Sequence, residues 1–184
     1  MTVMLAFAGI QFSGAQSLSG TALLDRMAGH RVSFDYDCTF NGMSVAGEVT
    51  LQDRAFVMKG FGLEVYSDGD TRWSVDTAAE EVLIERESGS DILSDPGRLI
   101  GAYRDFFDVS GNRLVPKGTA DSNISSISID SCTEKTLEAS VALSDGTVAR
   151  FSLKNIVLAE PGPASDFSFD TAAAGSSYII TDLR

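Results

Sequence analysis

The chain has 184 residues, of which 43% are apolar and 22% are charged, and its formal net charge is −12 at pH 7. This length is enough for one domain with a sizeable core. The excess of acidic residues argues against nucleic acid or an anionic membrane surface as a partner, because both are bound through clustered lysine and arginine. No apolar run is long enough to cross a bilayer.

The N-terminus has the pattern of a targeting segment. Residues 3–15 (VMLAFAGIQFSGA) form an apolar run with the length of a signal-peptide core, and Ser13 and Ala15 are small residues at the positions that a signal peptidase prefers. The sequence therefore predicts a signal peptide over residues 1–15 and a single domain over residues 16–184. An N-terminal core helix is the alternative, since no basic residue precedes the apolar run.

The next segments read as one helix and the start of a sheet. Residues 18–28 place Leu23, Leu24 and Met27 on one helical face, and Gly29 is a typical stop. Residues 32–40 (VSFDYDCTF) then alternate between apolar and polar positions, as a strand with one buried face does. Asn41-Gly42 predicts a hairpin turn into a second strand over residues 44–52.

Short alternating runs continue along the chain and are interrupted once by a helical period. Residues 98–107 (RLIGAYRDFF), which follow Pro96, predict a second amphipathic helix. The connections are short, so consecutive strands should be antiparallel neighbours. The further predicted strands cover residues 55–59, 63–67, 71–76, 81–85, 113–116, 124–131, 136–144, 147–158, 166–169 and 177–182.

This order of elements predicts a mainly β fold with two or three helices. About eleven one-sided antiparallel strands should form a strongly curved sheet whose apolar face the helices must cover. We therefore expect an incomplete antiparallel β-barrel with a helical lid over a hydrophobic cavity.

The sequence contains no complete signature of an enzyme or a metal site. The segment Gly42 to Ala46 lacks the last glycine of a G-x-S-x-G elbow, and His30 is the sole histidine. His30 follows Gly29, where a solvated residue at a helix exit is expected. We predict neither an enzyme nor a bound cofactor or metal.

Cys38 and Cys132 can form a single disulfide or remain two free thiols.

Several segments together resemble one known family. They are residues 63–85 (LEVYSDGDTRWSVDTAAEEVLIE), Gly47-Glu48-Val49, the segment from Asp95 to Tyr103, residues 167–170 (FSFD) and the chain end YIITDLR. In order and spacing they resemble the LolA-type periplasmic lipoprotein carriers in the form common in Bacteroidetes. The family's basic-proline pair after the second strand is missing, since this chain reads Asp53-Arg54-Ala55.

The resemblance implies a half-barrel that carries the acyl chains of lipoproteins through the periplasm towards the outer membrane. Its expected partners are acylated lipoproteins, an inner-membrane lipoprotein-releasing transporter and an outer-membrane acceptor, and the carrier itself is expected to be a monomer. The alternative is a sensor or scaffold that uses the same half-barrel to bind a lipid or a protein without transport.

The expected cavity defines two groups of candidate residues, and ordinary core packing is the alternative for each of them. The candidate ligand-binding walls are Phe34, Tyr36, Val49, Leu51, Met58, Val65, Trp73 and Ile84. The candidate lid residues are Leu99, Tyr103, Phe106 and Phe107.

Overall fold

The computed structural model describes residues 19–87, 95–118, 123–175 and 177–184. The predicted signal peptide lies outside the described residues. Helix α1 (Gly20–Met27) begins after Ser19, whose side chain accepts a hydrogen bond from the Ala22 amide. The sheet strands are β1 (Arg31–Phe40), β2 (Met43–Gln52), β3 (Ala55–Gly60), β4 (Leu63–Ser67), β5 (Thr71–Asp76), β6 (Glu81–Arg86), β7 (Phe107–Ser110), β8 (Arg113–Pro116), β9 (Ile124–Cys132), β10 (Leu137–Leu143), β11 (Val148–Ala159) and β12 (Ile179–Asp182).

All twelve strands belong to one open sheet in the order β12-β6-β5-β4-β3-β2-β1-β11-β10-β9-β8-β7. The predicted mainly β, incomplete barrel is thereby confirmed. Its strands are antiparallel neighbours except at one edge, where β12 pairs with β6 in parallel. This corrects the expectation of an entirely antiparallel sheet. β12 reaches β6 by a long connection, in which Phe169 packs against Tyr66 of β4, and not by a hairpin, which would force antiparallel pairing.

The two faces of the sheet follow from the register, because directly paired residues point to the same side. Phe34 pairs with Val49, and Val49 pairs with Met58, so these three side chains share one face, called here the inner face. On the other side of β1, Tyr36 pairs with Leu153 of β11. The opposite side of the sheet is called the outer face.

The hydrophobic core is divided between these faces. The larger cluster lies on the inner face and combines α1 with residues from β1–β3 and β8–β11. The smaller cluster contains Trp73, Val75, Val82 and Ile84, against which Tyr66, Phe169 and Tyr178 pack. Polar side chains cover much of the outer face of β1 and β11, where Lys154 pairs with Asp37.

Two predicted elements differ from the structure. The helix expected over residues 98–107 is a short π-helix (Gly97–Gly101) followed by α2 (Tyr103–Phe106), and Phe107 already belongs to β7. The strand expected over residues 166–169 is instead a 3₁₀-helix (Ala164–Phe167). Its Phe167 is fully buried and lies under the Arg31 guanidinium, so a tertiary contact overrides the local alternation.

Both cysteines are free thiols. Cys38 lies on β1 and Cys132 on β9, and β11 and β10 separate these strands in the sheet. Three strand spacings correspond to roughly 14 Å, far more than a disulfide spans. Of the two alternatives left open by the sequence, the pair of free thiols is therefore the one the fold adopts.

Candidate functional site

The inner face of the sheet borders an apolar cavity of about 130 Å³. The side chains that line it come from α1, from the lid region and from seven adjacent strands. They are Leu24, Phe34, Tyr36, Val49, Met58, Pro96, Leu99, Ile100, Leu114, Ile127, Ile129, Leu137, Ala139, Val141, Phe151 and Leu153. None of these carries a charge, and the Tyr36 hydroxyl is the one polar side-chain group among them.

The position of these lining residues requires a curved sheet. Met58 is on β3 and Leu114 is on β8, and five strands lie between them. In a flat sheet the two strands would be roughly 29 Å apart. Both side chains border the same small cavity, so the sheet curls around it as an open half-barrel.

Half of the predicted wall residues reach this cavity. Phe34, Tyr36, Val49 and Met58 line it. Leu51 is buried in the inner-face core beside it, and Val65 is partly buried against the same core, but neither borders the cavity. Whether any of these residues touches a ligand stays a prediction.

Trp73 and Ile84 lie on the outer face, contrary to their predicted place in the cavity wall. Trp73 pairs with Tyr66, the neighbour of Val65, so Trp73 and Val65 point to opposite sides of the sheet. Ile84 pairs with Trp73 and shares its side. Alternation in the sequence indicates that both side chains are buried, but it does not show on which face of the sheet they lie.

This position changes what the loss of Trp73 should do. We expect Trp73→Ala to lower the free energy of unfolding by about 3–5 kcal/mol, since a large buried ring is removed from the smaller cluster. The affinity of the cavity for an apolar probe should stay unchanged in the fraction that remains folded. Chemical denaturation together with probe titration would check both, and a selective loss of probe affinity would contradict the outer-face position.

The part of the cavity wall that the sequence did not predict lies on β8 to β11. Ile127, Ile129, Ala139 and Val141 alternate with polar residues along β9 and β10, and Leu153 continues the same face on β11. The period-2 pattern was visible in the sequence. The adjacency of these strands to β1 was not, because it depends on the long-range pairing of β1 with β11.

The lid consists of the π-helix Gly97–Gly101 and α2, and its predicted residues have different positions. Leu99 borders the cavity, together with Pro96 and Ile100. Tyr103 and Phe107 are fully buried in the inner-face core, and Phe106 is partly buried against it. Of the four predicted lid residues, the leucine therefore lines the cavity, and the three aromatic residues lie in the surrounding core.

Two glycines let the lid rest directly on the backbone of the β2–β3 turn. A Cβ atom on Gly97 would lie 2.5 Å from the Arg54 carbonyl oxygen, and one on Gly101 would overlap the Asp53 carbonyl oxygen. The Arg54 side chain points elsewhere, since its guanidinium donates to the Gly69 carbonyl at 3.2 Å. The backbone of this turn, rather than a basic side chain, is thus what the lid contacts here.

A second contact joins the lid to α1. Asp25 of α1 accepts hydrogen bonds from the Tyr103 hydroxyl at 2.7 Å and from two nitrogens of Arg104 at 2.8 Å each. The bonds from Arg104, and then that from Tyr103, hold the pKa of Asp25 below its usual value. Burial, followed by the bond to Asp25, raises the pKa of Tyr103 to about 12. The ionised carboxylate therefore stabilises the closed lid.

The pH dependence of this contact follows from the lowered pKa of Asp25. Its contribution is present at pH values above the usual carboxyl pKa near 3.8 and is lost as the pH falls through the lower pKa of the folded state. We expect Asp25→Asn to lower the melting temperature at pH 7, and the difference from the wild type to shrink towards pH 3. The effect should be small, because the Arg104 and Asp25 side chains are 59% and 45% exposed.

Asp37→Asn is the matched control for this measurement. Asp37 forms an exposed ion pair with Lys154 on the outer face and has no contact with the lid. Hydrogen exchange of the lid amides at pH 7 should accelerate in Asp25→Asn and remain unchanged in Asp37→Asn. Equal acceleration in both variants would show that Asp25 does not hold the lid.

Buried polar groups lie near the first turn of the lid. The Ser67 hydroxyl and the Arg72 guanidinium both donate to Glu87, at 3.1 and 3.0 Å. Asp95 is 2% exposed and accepts the Arg98 amide at 2.9 Å, while its other oxygen pairs with the Arg98 guanidinium. Burial raises the pKa of Asp95. The first group links β4 and β5 to the residue after β6, and the Asp95–Arg98 contacts close the first turn of the lid.

The fold of this chain has matches among solved structures, whereas no family model and no curated protein matches its sequence. Among solved structures, an uncharacterised conserved protein from Thermus thermophilus aligns with a TM-score of 0.52 at 9% identity, over 88% of this chain and 98% of that one. It shows that the two chains share a fold.

Two further solved structures align less closely. A LolA superfamily protein from Nitrosomonas europaea has a TM-score of 0.44 at 8% identity, over 83% of this chain and 98% of its own. A DUF1329 family protein from Desulfovibrio piger has a TM-score of 0.44 at 13% identity, over 85% of this chain and 98% of its own.

Within the described residues, no helix is long and apolar enough to span a membrane.

Proposed function

We propose that this protein is a periplasmic carrier that binds the acyl chains of lipoproteins in its cavity and delivers them towards the outer membrane. The observation that carries the proposal is the cavity lining, which is apolar apart from the Tyr36 hydroxyl and includes residues of a lid that is anchored to α1 and to the β2–β3 turn. Among the described residues, no charged side chain that could act as a nucleophile or a base borders the cavity. We therefore propose binding rather than catalysis as the function.

The energetics of acyl transport require such a site. Leaving one CH₂ group in water costs roughly 0.8 kcal/mol, so a lipid anchor needs an apolar shelter to cross an aqueous compartment. The sequence resemblance to LolA-type carriers supplies the class of cargo. An inner-membrane lipoprotein-releasing transporter and an outer-membrane acceptor are the partners that this proposal implies.

In this conformation the cavity is too small for its proposed cargo. A cavity of about 150 Å³ in another protein admits benzene, and the cavity here measures about 130 Å³. An acyl chain of ordinary length is several times larger than this volume. Its entry must therefore displace the lid and the side chains that line the cavity. Binding then exchanges internal contacts for contacts with the ligand, which keeps release possible.

The direct test is a transfer assay with a fluorescent diacylated lipopeptide. We expect the purified protein to keep the lipopeptide in solution, to ignore the same peptide without acyl chains, and to pass the acylated form to acceptor membranes. Binding without delivery would indicate the non-transporting sensor or scaffold instead. Failure to bind the acylated form, together with no acyl ligand in protein purified from its own periplasm, would eliminate the carrier.

A further inference from the structure

The Tyr36 hydroxyl is the one polar side-chain group that borders the apolar cavity. Within the described residues, it forms no hydrogen bond with another protein group. The hydroxyls of Tyr66 and Tyr103, by contrast, donate to carboxylates at 2.6 and 2.7 Å. A tyrosine hydroxyl that is taken out of bulk water normally has a partner. The hydroxyl of Tyr36 is therefore available to a ligand in the cavity.

The Tyr36 side chain lies over the backbone of two glycines. Gly47 of β2 pairs with Tyr36, and Gly60 of β3 pairs with Gly47. A Cβ atom on Gly47 would lie 3.0 Å from the Tyr36 hydroxyl oxygen, and one on Gly60 would lie 3.1 Å from it. A larger residue at either position would crowd the hydroxyl. The two glycines thus give this group its room on the inner face.

Tyr36 lies where the inner face changes from buried to half-buried. Leu51 and Val49 of β2 are 1% and 4% exposed, whereas the next inner-face residue, Gly47, and its partner Tyr36 are half-buried. A polar group is costly to bury without a partner. A ligand with one apolar and one polar end is therefore most stable with its chain in the buried part and its polar group beside Tyr36.

We propose that the Tyr36 hydroxyl donates a hydrogen bond to the carbonyl oxygen of an acyl ester whose hydrocarbon chain occupies the cavity. This inference rests on the function proposed above, and it narrows the ligand class from apolar chains in general to neutral acyl esters. Tyr36 is then the residue that distinguishes an ester from an alkyl ether of the same length.

The polar group of the ligand should be uncharged. No charged side chain lines the cavity within the described residues, and the chain has a net charge of −12. A fatty-acid carboxylate would lose its hydration there without gaining a cation. Burial, and then the nearby Cys38, raises the pKa of Tyr36. The hydroxyl therefore keeps its proton at neutral pH and can donate to an ester carbonyl.

Tyr36→Phe tests this inference with two probes of equal chain length, palmitoyl glycerol and hexadecyl glycerol ether. The ester has a carbonyl oxygen and the ether has none. We expect Tyr36→Phe to weaken binding of the ester about two- to tenfold, as the loss of one neutral hydrogen bond does, and to leave binding of the ether unchanged. Phenylalanine keeps the ring, so the fold should be preserved, and the melting temperature checks this.

Tyr66→Phe is the matched control for this measurement. It also removes one tyrosine hydroxyl, but that hydroxyl donates to Glu64 and its ring lies on the outer face, where Tyr66 pairs with Trp73. Its affinities for both probes should equal those of the wild type.

Infrared spectra of the bound ester, isotopically labelled at its carbonyl carbon, give a second measurement. A hydrogen bond to a carbonyl oxygen lowers the stretching frequency of the carbonyl group. We therefore expect a lower frequency in the wild type and in Tyr66→Phe than in Tyr36→Phe. A role of Tyr36 in packing alone would not produce this difference.

Each outcome bears on the inference. A loss of affinity in Tyr36→Phe that is confined to the ester, together with the infrared shift, supports it. Unchanged affinity for the ester, an equal loss for ester and ether, or tighter binding of palmitate than of the ester would overturn it while leaving acyl binding in place. Failure of the wild type to bind either probe would overturn the acyl-binding function together with this inference.

Discussion

Replacing Gly101 by alanine is expected to lift the lid from the sheet and to reduce the free energy of unfolding by about 2–3 kcal/mol. The new Cβ atom would overlap the carbonyl oxygen of Asp53 in the β2–β3 turn. Neither backbone can move away freely, because Gly97 holds the same lid against Arg54 one turn earlier. The lid must therefore shift as a unit.

Denaturant unfolding and binding of an environment-sensitive apolar dye would measure this effect. The dye should gain access to the inner face of the Gly101→Ala variant, since the displaced lid uncovers Leu99 and its neighbours. Gly111→Asn is the matched control: it also adds a Cβ atom to a glycine, but no atom lies near that position, and asparagine tolerates its φ of 59°. Unchanged stability and dye binding in Gly101→Ala would show that the lid does not rest on the turn.

Filling the cavity should abolish acyl binding while leaving the fold intact. Ala139 lines the cavity on β10 and has a small side chain facing the empty volume. In Ala139→Phe we expect the ring to occupy most of that volume and to reduce affinity for an acyl probe at least tenfold. The change in unfolding free energy should stay within about 1–2 kcal/mol, since new contacts offset local overpacking.

Ala46→Phe is the control for the cavity-filling variant. Ala46 is exposed on the outer face of β2, where it pairs with Asp37. The same ring added there should leave acyl affinity unchanged. Full affinity in Ala139→Phe, with its fold verified by circular dichroism, would place the ligand outside the cavity.

The sequence was sufficient to predict most strands because their turns carry local signals. Asn41-Gly42 and the Asp68-Gly69 pair mark hairpins, and the alternation beside them fixes which residues share a face. Segments stabilised by distant partners were predicted less well. Phe167 alternates like a strand residue, yet its burial beneath Arg31 shapes a 3₁₀-helix, and no local pattern contains that contact.

The candidate site was only half predictable for the same reason. Phe34 and Val49 were assigned through a local hairpin, and they do line the cavity. Trp73 was assigned by its size and its alternation, but alternation cannot tell the inner from the outer face when both are apolar. The β9–β11 wall required knowledge of sheet order, which a single sequence does not contain.

The pairing of β1 with β11 also has a kinetic consequence. Arg31 and Ala159 are partners although 128 positions separate them along the chain. The β2–β6 and β9–β11 hairpins can form locally, but joining the two halves must close this long loop before any cavity exists. Folding should accordingly be slow for a domain of this size, in the range of other topologies dominated by non-local strand pairs. A chain that stays unfolded for that long exposes its apolar strands to chaperones and proteases until the two parts of the sheet have paired.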